Sequence, residues 1–145
     1  MKKLLFLLIA FATASFTLHA QDQIVGRWKT IDDETGKAKS IIEIYKKDGK
    51  YYGRIVQLLT EENKDGVCRT CEGKYKNKNI IGLVILKDLE YDADDEEWTG
   101  GTIMDPKNAK EYSVYLALVE PNKLKVRGYI GFSLIGRTQY WYRVE

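Results

Sequence analysis

From Gln21 onward the apolar residues fall in short segments, rich in β-branched and aromatic side chains and bounded by Gly, Asn or Asp. That pattern predicts strands over residues 26–31, 40–45, 50–58, 83–91, 97–104, 112–119, 124–130 and 138–144. Asp48-Gly49, between the second and third segments, predicts a two-residue type I′ hairpin turn, which needs positive φ at both positions. Residues 92–96 and Pro121-Asn122 read as turns between later strands. No stretch of ten or more residues carries helical periodicity; a single helical turn over residues 22–25 is the only helix signal.

Sequential strands with short connections predict an all-β domain: one antiparallel up-and-down β-barrel of about eight strands, closed or nearly closed, because closure removes exposed sheet edges. A two-sheet sandwich is the alternative. Gly82, Gly100, Gly101, Gly128, Gly131 and Gly136 lie in or beside the strands. Glycines there mark bends where a sheet curls, which favours the barrel.

The first residues have a different grammar. Lys2 and Lys3 precede an apolar run from Leu4 to Phe11, and a small-residue region ends at Ala20. This is the layout of a secretory signal peptide. The run is shorter than the roughly 20 residues a membrane-spanning helix needs. The expected organisation is a leader over residues 1–20, cleaved after Ala20, and one domain over residues 21–145, delivered to the periplasm or the outside. Without Lys2 and Lys3 the 23 basic residues become 21 and balance the 21 acidic ones. A neutral domain has no long-range field to draw in nucleic acid or an anionic membrane, and no nucleic acid is expected as a partner. The one histidine, His19, leaves with the leader. That excludes Ser-His-Asp and Cys-His nucleophile activation and any His-based metal site. No catalytic residue, metal or cofactor is expected, and binding is favoured over catalysis.

Gly26-x-Trp28 opens the first strand and Arg143 sits in the last. This pairing resembles the calycins, the superfamily of lipocalins and fatty-acid-binding proteins. The resemblance implies that Arg143 lies across Trp28 and closes the bottom of the barrel, as a guanidinium stacks well on an indole. A second resemblance spans nearly all of residues 21–145. It is carried by Gly26-x-Trp28, Cys68-x-x-Cys71, Trp98-x-Gly100-Gly101, Asp105-Pro106, Tyr112, Leu124-x-Val126-Arg127-Gly128-Tyr129-x-Gly131 and Gly136-Arg137-Thr138-x-x-Trp141-x-Arg143. These features are similar to those of the exported bacterial proteins grouped as domain of unknown function 2147, which are placed with the calycins. The resemblance implies the fold and brings no activity with it. Ala109 departs from the pattern, because a glycine is expected after Asn108, so the loop is expected to differ there.

Three constellations carry possible chemistry. Cys68 and Cys71 lie in the longest polar connection, and in an oxidising compartment two cysteines this close favour a disulfide. A redox motif and half of a metal site are the alternatives, although a redox CxxC normally opens a helix. Arg127 and Arg137 fall opposite each other if the last hairpin turns near Phe132. Two like charges on one face need an anion between them. That anion is either a carboxylate such as Glu43, Asp105 or Glu111, or a bound ligand, with Tyr115 and Tyr129 as further ligand-binding candidates. The alternative is two solvent-facing arginines. The acidic run Asp92, Asp94, Asp95, Glu96, Glu97 reads as a solvated hairpin tip, since it lacks the spacing of a calcium loop.

The sequence therefore points to an exported barrel that binds a small apolar or anionic ligand. A non-enzymatic envelope interaction or stress protein with a filled core is the alternative, and a CxxC-based redox factor is the second.

Overall fold

The alternation becomes eight antiparallel strands: β1 (Gly26–Ile31), β2 (Ala38–Lys47), β3 (Lys50–Leu58), β4 (Val84–Asp92), β5 (Glu97–Met104), β6 (Glu111–Glu120), β7 (Lys123–Tyr129) and β8 (Gly136–Val144). The computed structural model describes residues 20–60, 65–69 and 71–145, so the expected leader lies outside them except for Ala20. Each strand pairs with the next, and β8 pairs back onto β1, closing the barrel. That ladder decides against the sandwich. Strand ends outrun the apolar segments where polar residues join the ladder, as in Lys47↔Lys50 and Gly128↔Arg137. Asp48 and Gly49 both adopt positive φ, 51° and 78°, as the hairpin signal requires.

Closure needs close approach as well as pairing. A Cβ on Gly101 would collide with the carbonyl of Lys87 on β4, so only glycine lets β5 come this near. The inward positions are filled with large side chains. Trp28, Trp98, Trp141 and Tyr51 are at most 2% exposed, together with Ile42, Leu86, Leu116 and Leu124. Each buried indole removes roughly 200 Å² of surface, worth on the order of 5 kcal/mol in transfer free energy.

One end of the barrel is plugged by the segment just before β1. Ile24 is fully buried there. The Trp28 indole N–H donates to the Ile24 carbonyl at 2.8 Å, and that of Trp98 donates to the Gln21 carbonyl at 2.9 Å. The Tyr51 hydroxyl donates to Asp22 at 2.7 Å. Arg143 completes the plug, its guanidinium 4.3 Å from the Trp28 ring centroid. It donates to the carbonyls of Gln23 at 2.5 Å, and of Val25 and Pro121 at 3.2 Å. Burial pulls its pKa below the usual arginine value. Gly26 has φ 133°, and a Cβ there would lie 3.1 Å from an Arg143 nitrogen. The glycine of Gly-x-Trp thus makes room for the arginine.

Ala109 is the departure from expectation. It sits at φ 62°, so the loop keeps its left-handed turn despite the alanine. The reason is local: the N–H groups of Asn108 and Ala109 both donate to the Asp105 carbonyl, and that of Asp105 donates to the Lys110 carbonyl. These bonds offset a strain of about 1–2 kcal/mol.

Two outcomes follow for urea unfolding. Arg143→Ala is expected to lose about 2–4 kcal/mol, because the stacking and the charge-assisted bonds go together. Arg143→Lys should rescue little of it, since an ammonium has no planar fork. Ala109→Gly is expected to gain about 0.5–1 kcal/mol, the relieved strain exceeding the added unfolded-state entropy.

Candidate functional site

The end opposite the plug is built from the connections β1–β2, β3–β4, β5–β6 and β7–β8. Two of these loops share one design. In the first, the Asp32 N–H donates to the Lys37 carbonyl and the Gly36 N–H to the Asp32 carbonyl. In the second, Asp105, Lys110 and Ala109 take the same parts. In each loop the leading aspartate caps backbone N–H groups, Asp32 those of Glu34 and Thr35 at 2.9 Å and Asp105 that of Lys107 at 2.8 Å. Asp32 also pairs with Lys39 at 2.5 Å. The bond to Lys39, helped by the backbone donors, holds its carboxyl far below the usual carboxylate range.

Facing follows from register. Leu124, Val126 and Gly128 lie opposite Trp141, Gln139 and Arg137, and directly opposed residues share a face. Leu124, Val126 and Trp141 are buried, so this is the inner face. Arg137 is therefore the rim residue of the inner column of β8, with Gln139 and Trp141 below it. Arg127 lies opposite Thr138 and is on the outside. The expectation of two arginines opposed on one face is corrected here. The loop leaves Tyr129↔Gly136 as its last pair, one residue out of step with a turn centred on Phe132, and a one-residue slip moves a side chain to the other face.

Each arginine has its own partners. Arg127 donates to the Ser133 carbonyl through Nε at 2.9 Å and Nη2 at 2.7 Å, and to the Thr138 hydroxyl at 3.0 Å. Arg137 is ion-paired with Asp33 and lies 3.5 Å from Glu34, both in the β1–β2 loop. The guanidinium holds the Asp33 carboxyl below its usual range. Gln139 reaches the same carboxylate at 3.4 Å. The carboxylates expected between the arginines are engaged elsewhere or lie in the loop backbone: Glu43 pairs with Arg54 and Arg27, Glu111 with Lys87, and Asp105 caps its own loop. Tyr115 and Tyr129 pair across with Arg127 and Ser113 on the outer face, their ring centroids 6.4 Å apart. Of the four expected ligand-binding residues, three gather outside the barrel and Arg137 alone belongs to the inner column.

Beneath the rim the interior is polar. Thr30, opposite Trp141, has its hydroxyl 2.9 Å from that of Ser40. The Trp141 indole N–H is the one buried side-chain polar atom without a partner among the described residues. Inward residues near the rim, Ile103, Tyr112, Gly128 and Gln139, are only half-buried, whereas Leu116, Leu124, Val126 and Trp141, deeper in, are buried. Solvent thus reaches the rim of the inner face.

Cys68 and Cys71 are disulfide-bonded and buried, with Cα atoms 5.5 Å apart. Their sulfurs lie 2.9 and 3.2 Å from the Pro106 carbonyl oxygen, contacts without a proton that tie the β3–β4 connection to the β5–β6 loop. Among the described residues no three His, Cys, Asp or Glu side chains converge on a metal-sized site. No helix there is long and apolar enough to cross a membrane. The acidic run forms the β4–β5 turn, where Asp92 accepts the Asp94 N–H at 2.9 Å.

Asp33, Glu34 and Gln139 were not singled out by sequence. Counting back by two from Trp141 along β8 would have found Gln139. Nothing local marks Asp33, which lies 104 residues from Arg137.

Comparison with known proteins adds the family and the fold. A family model described as "Uncharacterized protein conserved in bacteria (DUF2147)" matches residues 26–143. A solved structure, a Helicobacter pylori protein described as belonging to the lipocalin family, superposes with a TM-score of 0.69 at 22% identity. The match covers 84% of this chain and 83% of that one. No curated protein matches the chain.

One expectation concerns acid. A carboxylate with a lowered folded pKa stabilises the fold above its unfolded value, about 3.9, and that contribution fades as pH falls below it. Both Asp32 and Asp33 are of this kind. Asp32→Asn should therefore melt below wild type at pH 7, and the gap should shrink steadily between about pH 4 and pH 2. Thermal unfolding followed by circular dichroism across that range checks it.

Proposed function

The chain belongs to the DUF2147 family, and from that premise we propose that it is an exported binding protein that takes a small ligand with an apolar body and an acidic group into the open end of its barrel. The leader-like residues 1–20 and the disulfide support export to the periplasm or beyond, with residues 21–145 as the single working domain. The likeness to a lipocalin-family structure supports a ligand-holding role, since such barrels hold small molecules at their mouths.

The carrying observation is Arg137. It stands on the inner column at the rim, yet its anionic partners, Asp33 and Glu34, sit on a loop and are partly exposed. An exposed pair of this kind is worth little, so a ligand carboxylate displaces Asp33 at small cost. A planar guanidinium suits that exchange because it grips a carboxylate with two donors. Deeper in, Gln139, the Thr30–Ser40 hydroxyl pair and the free Trp141 N–H offer polar contacts to a ligand that carries an acceptor. A buried donor without a partner costs stability that such a ligand returns.

The proposal is tested with a fluorescent fatty-acid analogue titrated into the purified protein. Wild type should bind in a saturable way, and Arg137→Gln should weaken binding about tenfold, the loss of one charge-assisted contact. Arg127→Gln, altered on the outer face, should leave affinity unchanged. Absence of saturable binding, or equal loss in both variants, would sink the reading.

A further inference from the structure

The β7–β8 hairpin ends in a loop that most proteins would make polar. Ile130, Phe132, Leu134 and Ile135 are 66%, 74%, 91% and 64% exposed. The loop is held in shape nonetheless: the Ile130 N–H donates to Ile135 and the Ile135 N–H donates to Phe132. Arg127 clamps the Ser133 and Leu134 carbonyls from outside. A guanidinium is thus committed to keeping an apolar tip out in water. Contiguous exposed apolar surface of this kind marks an interaction site.

Charge on the hairpin is segregated. Residues 121–144 contain Lys123, Lys125, Arg127, Arg137 and Arg143 and not one acidic residue, although the chain from Gln21 onward is neutral. Arg137 and Arg143 are engaged at the rim and the plug, while Lys123, Lys125 and Arg127 lie on the outer face. Tyrosines stand among them. Lys123 lies 4.8 Å from the Tyr140 ring centroid and 5.9 Å from that of Tyr142, and Lys125 lies 5.3 Å from that of Tyr115. Tyr129 sits directly below the tip.

We propose that this hairpin docks the barrel on a phospholipid bilayer bearing anionic headgroups. The apolar tip enters the boundary of the acyl region, Tyr129 takes the interfacial level, and Lys125 reaches toward the headgroups, with Lys123 adding positive charge farther out along β7. Apolar tip, aromatic belt and basic shaft succeed one another along the strands at about 3.4 Å per residue, the order in which a membrane surface presents its own layers. A protein partner fits less well, because lysine is depleted from protein interfaces, whereas lysine stems extend readily to a headgroup layer. The contact goes beyond ligand binding and stands without it, since tip and shaft lie outside the barrel.

All eight strands and most of the plug follow residue 20, so residues 21–145 carry the barrel, and this purified form is mixed with sedimentable vesicles of phosphatidylcholine alone or with a quarter phosphatidylglycerol. Wild type should pellet with the anionic vesicles and less with the neutral ones. Phe132→Ser/Leu134→Ser should lower the partition coefficient about tenfold or more, as expected for removing two inserted apolar groups. Lys123→Gln/Lys125→Gln should erase the preference for anionic vesicles. The serine variant alters exposed tip positions and the glutamine variant half-buried positions on the outer face, and an unchanged melting temperature confirms in each that the fold is intact. Phe132→Trp should shift its emission to the blue on vesicle addition. No partition of wild type into either vesicle, full partition by the serine variant, or binding to a protein or single-stranded nucleic acid with none to vesicles overturns the proposal.

Discussion

Arg143 lying across Trp28 is where the two ends of the barrel meet. The arginine belongs to β8, the tryptophan to β1, and the carbonyls it satisfies come from the plug and from the β6–β7 turn. One side chain therefore joins the first strand, the last strand, the N-terminal segment and a distant turn. The half-buried guanidinium is held by three carbonyl acceptors and a ring face. Gly26 is the complement of that arrangement, since a Cβ there would crowd the guanidinium on a backbone whose φ of 133° already favours glycine.

From this seal follows the asymmetry between the two ends. Plug, indoles and Arg143 occupy the lower interior. At the other end the strands run out into loops, and the inward positions change from tryptophan and isoleucine to Thr30, Ser40, Gln139 and Arg137. Rim residues there are half-buried, and beneath them the Trp141 indole N–H is buried without a partner. The disulfide, fastened against Pro106, stiffens the longest connection around that opening. Its two sulfurs are buried, which suits a structural bridge better than exchange with another thiol.

The β7–β8 hairpin serves two different environments. Its inner column carries the rim arginine and the closing arginine, and its outer column carries lysines, tyrosines and the Arg127 clamp beneath an apolar tip. Alternation of side chains along a strand makes this possible within one short segment. Arg127 and Arg137, close in sequence and both basic, end with unrelated partners for that reason alone.

Period-two alternation, glycine placement and the Asp48-Gly49 turn were enough to read eight strands and their order, because these signals act between near neighbours. The pairing of Trp28 with Arg143 was legible through resemblance. Ala109 was legible as an anomaly, and the loop kept its left-handed turn because three backbone bonds outweighed the strain at one residue. Facing was not legible for Arg127 and Arg137: it depends on whether a loop holds an odd or an even number of residues, and the sequence around Phe132 permits either. Asp33 and the unpaired Trp141 N–H were invisible for another reason, since both are products of ring closure, which brings β1 and its loop beside β8 across most of the chain. Local chemistry determined the strands of this protein, whereas the register and closure of the whole sheet decided which side chains look inward and which meet.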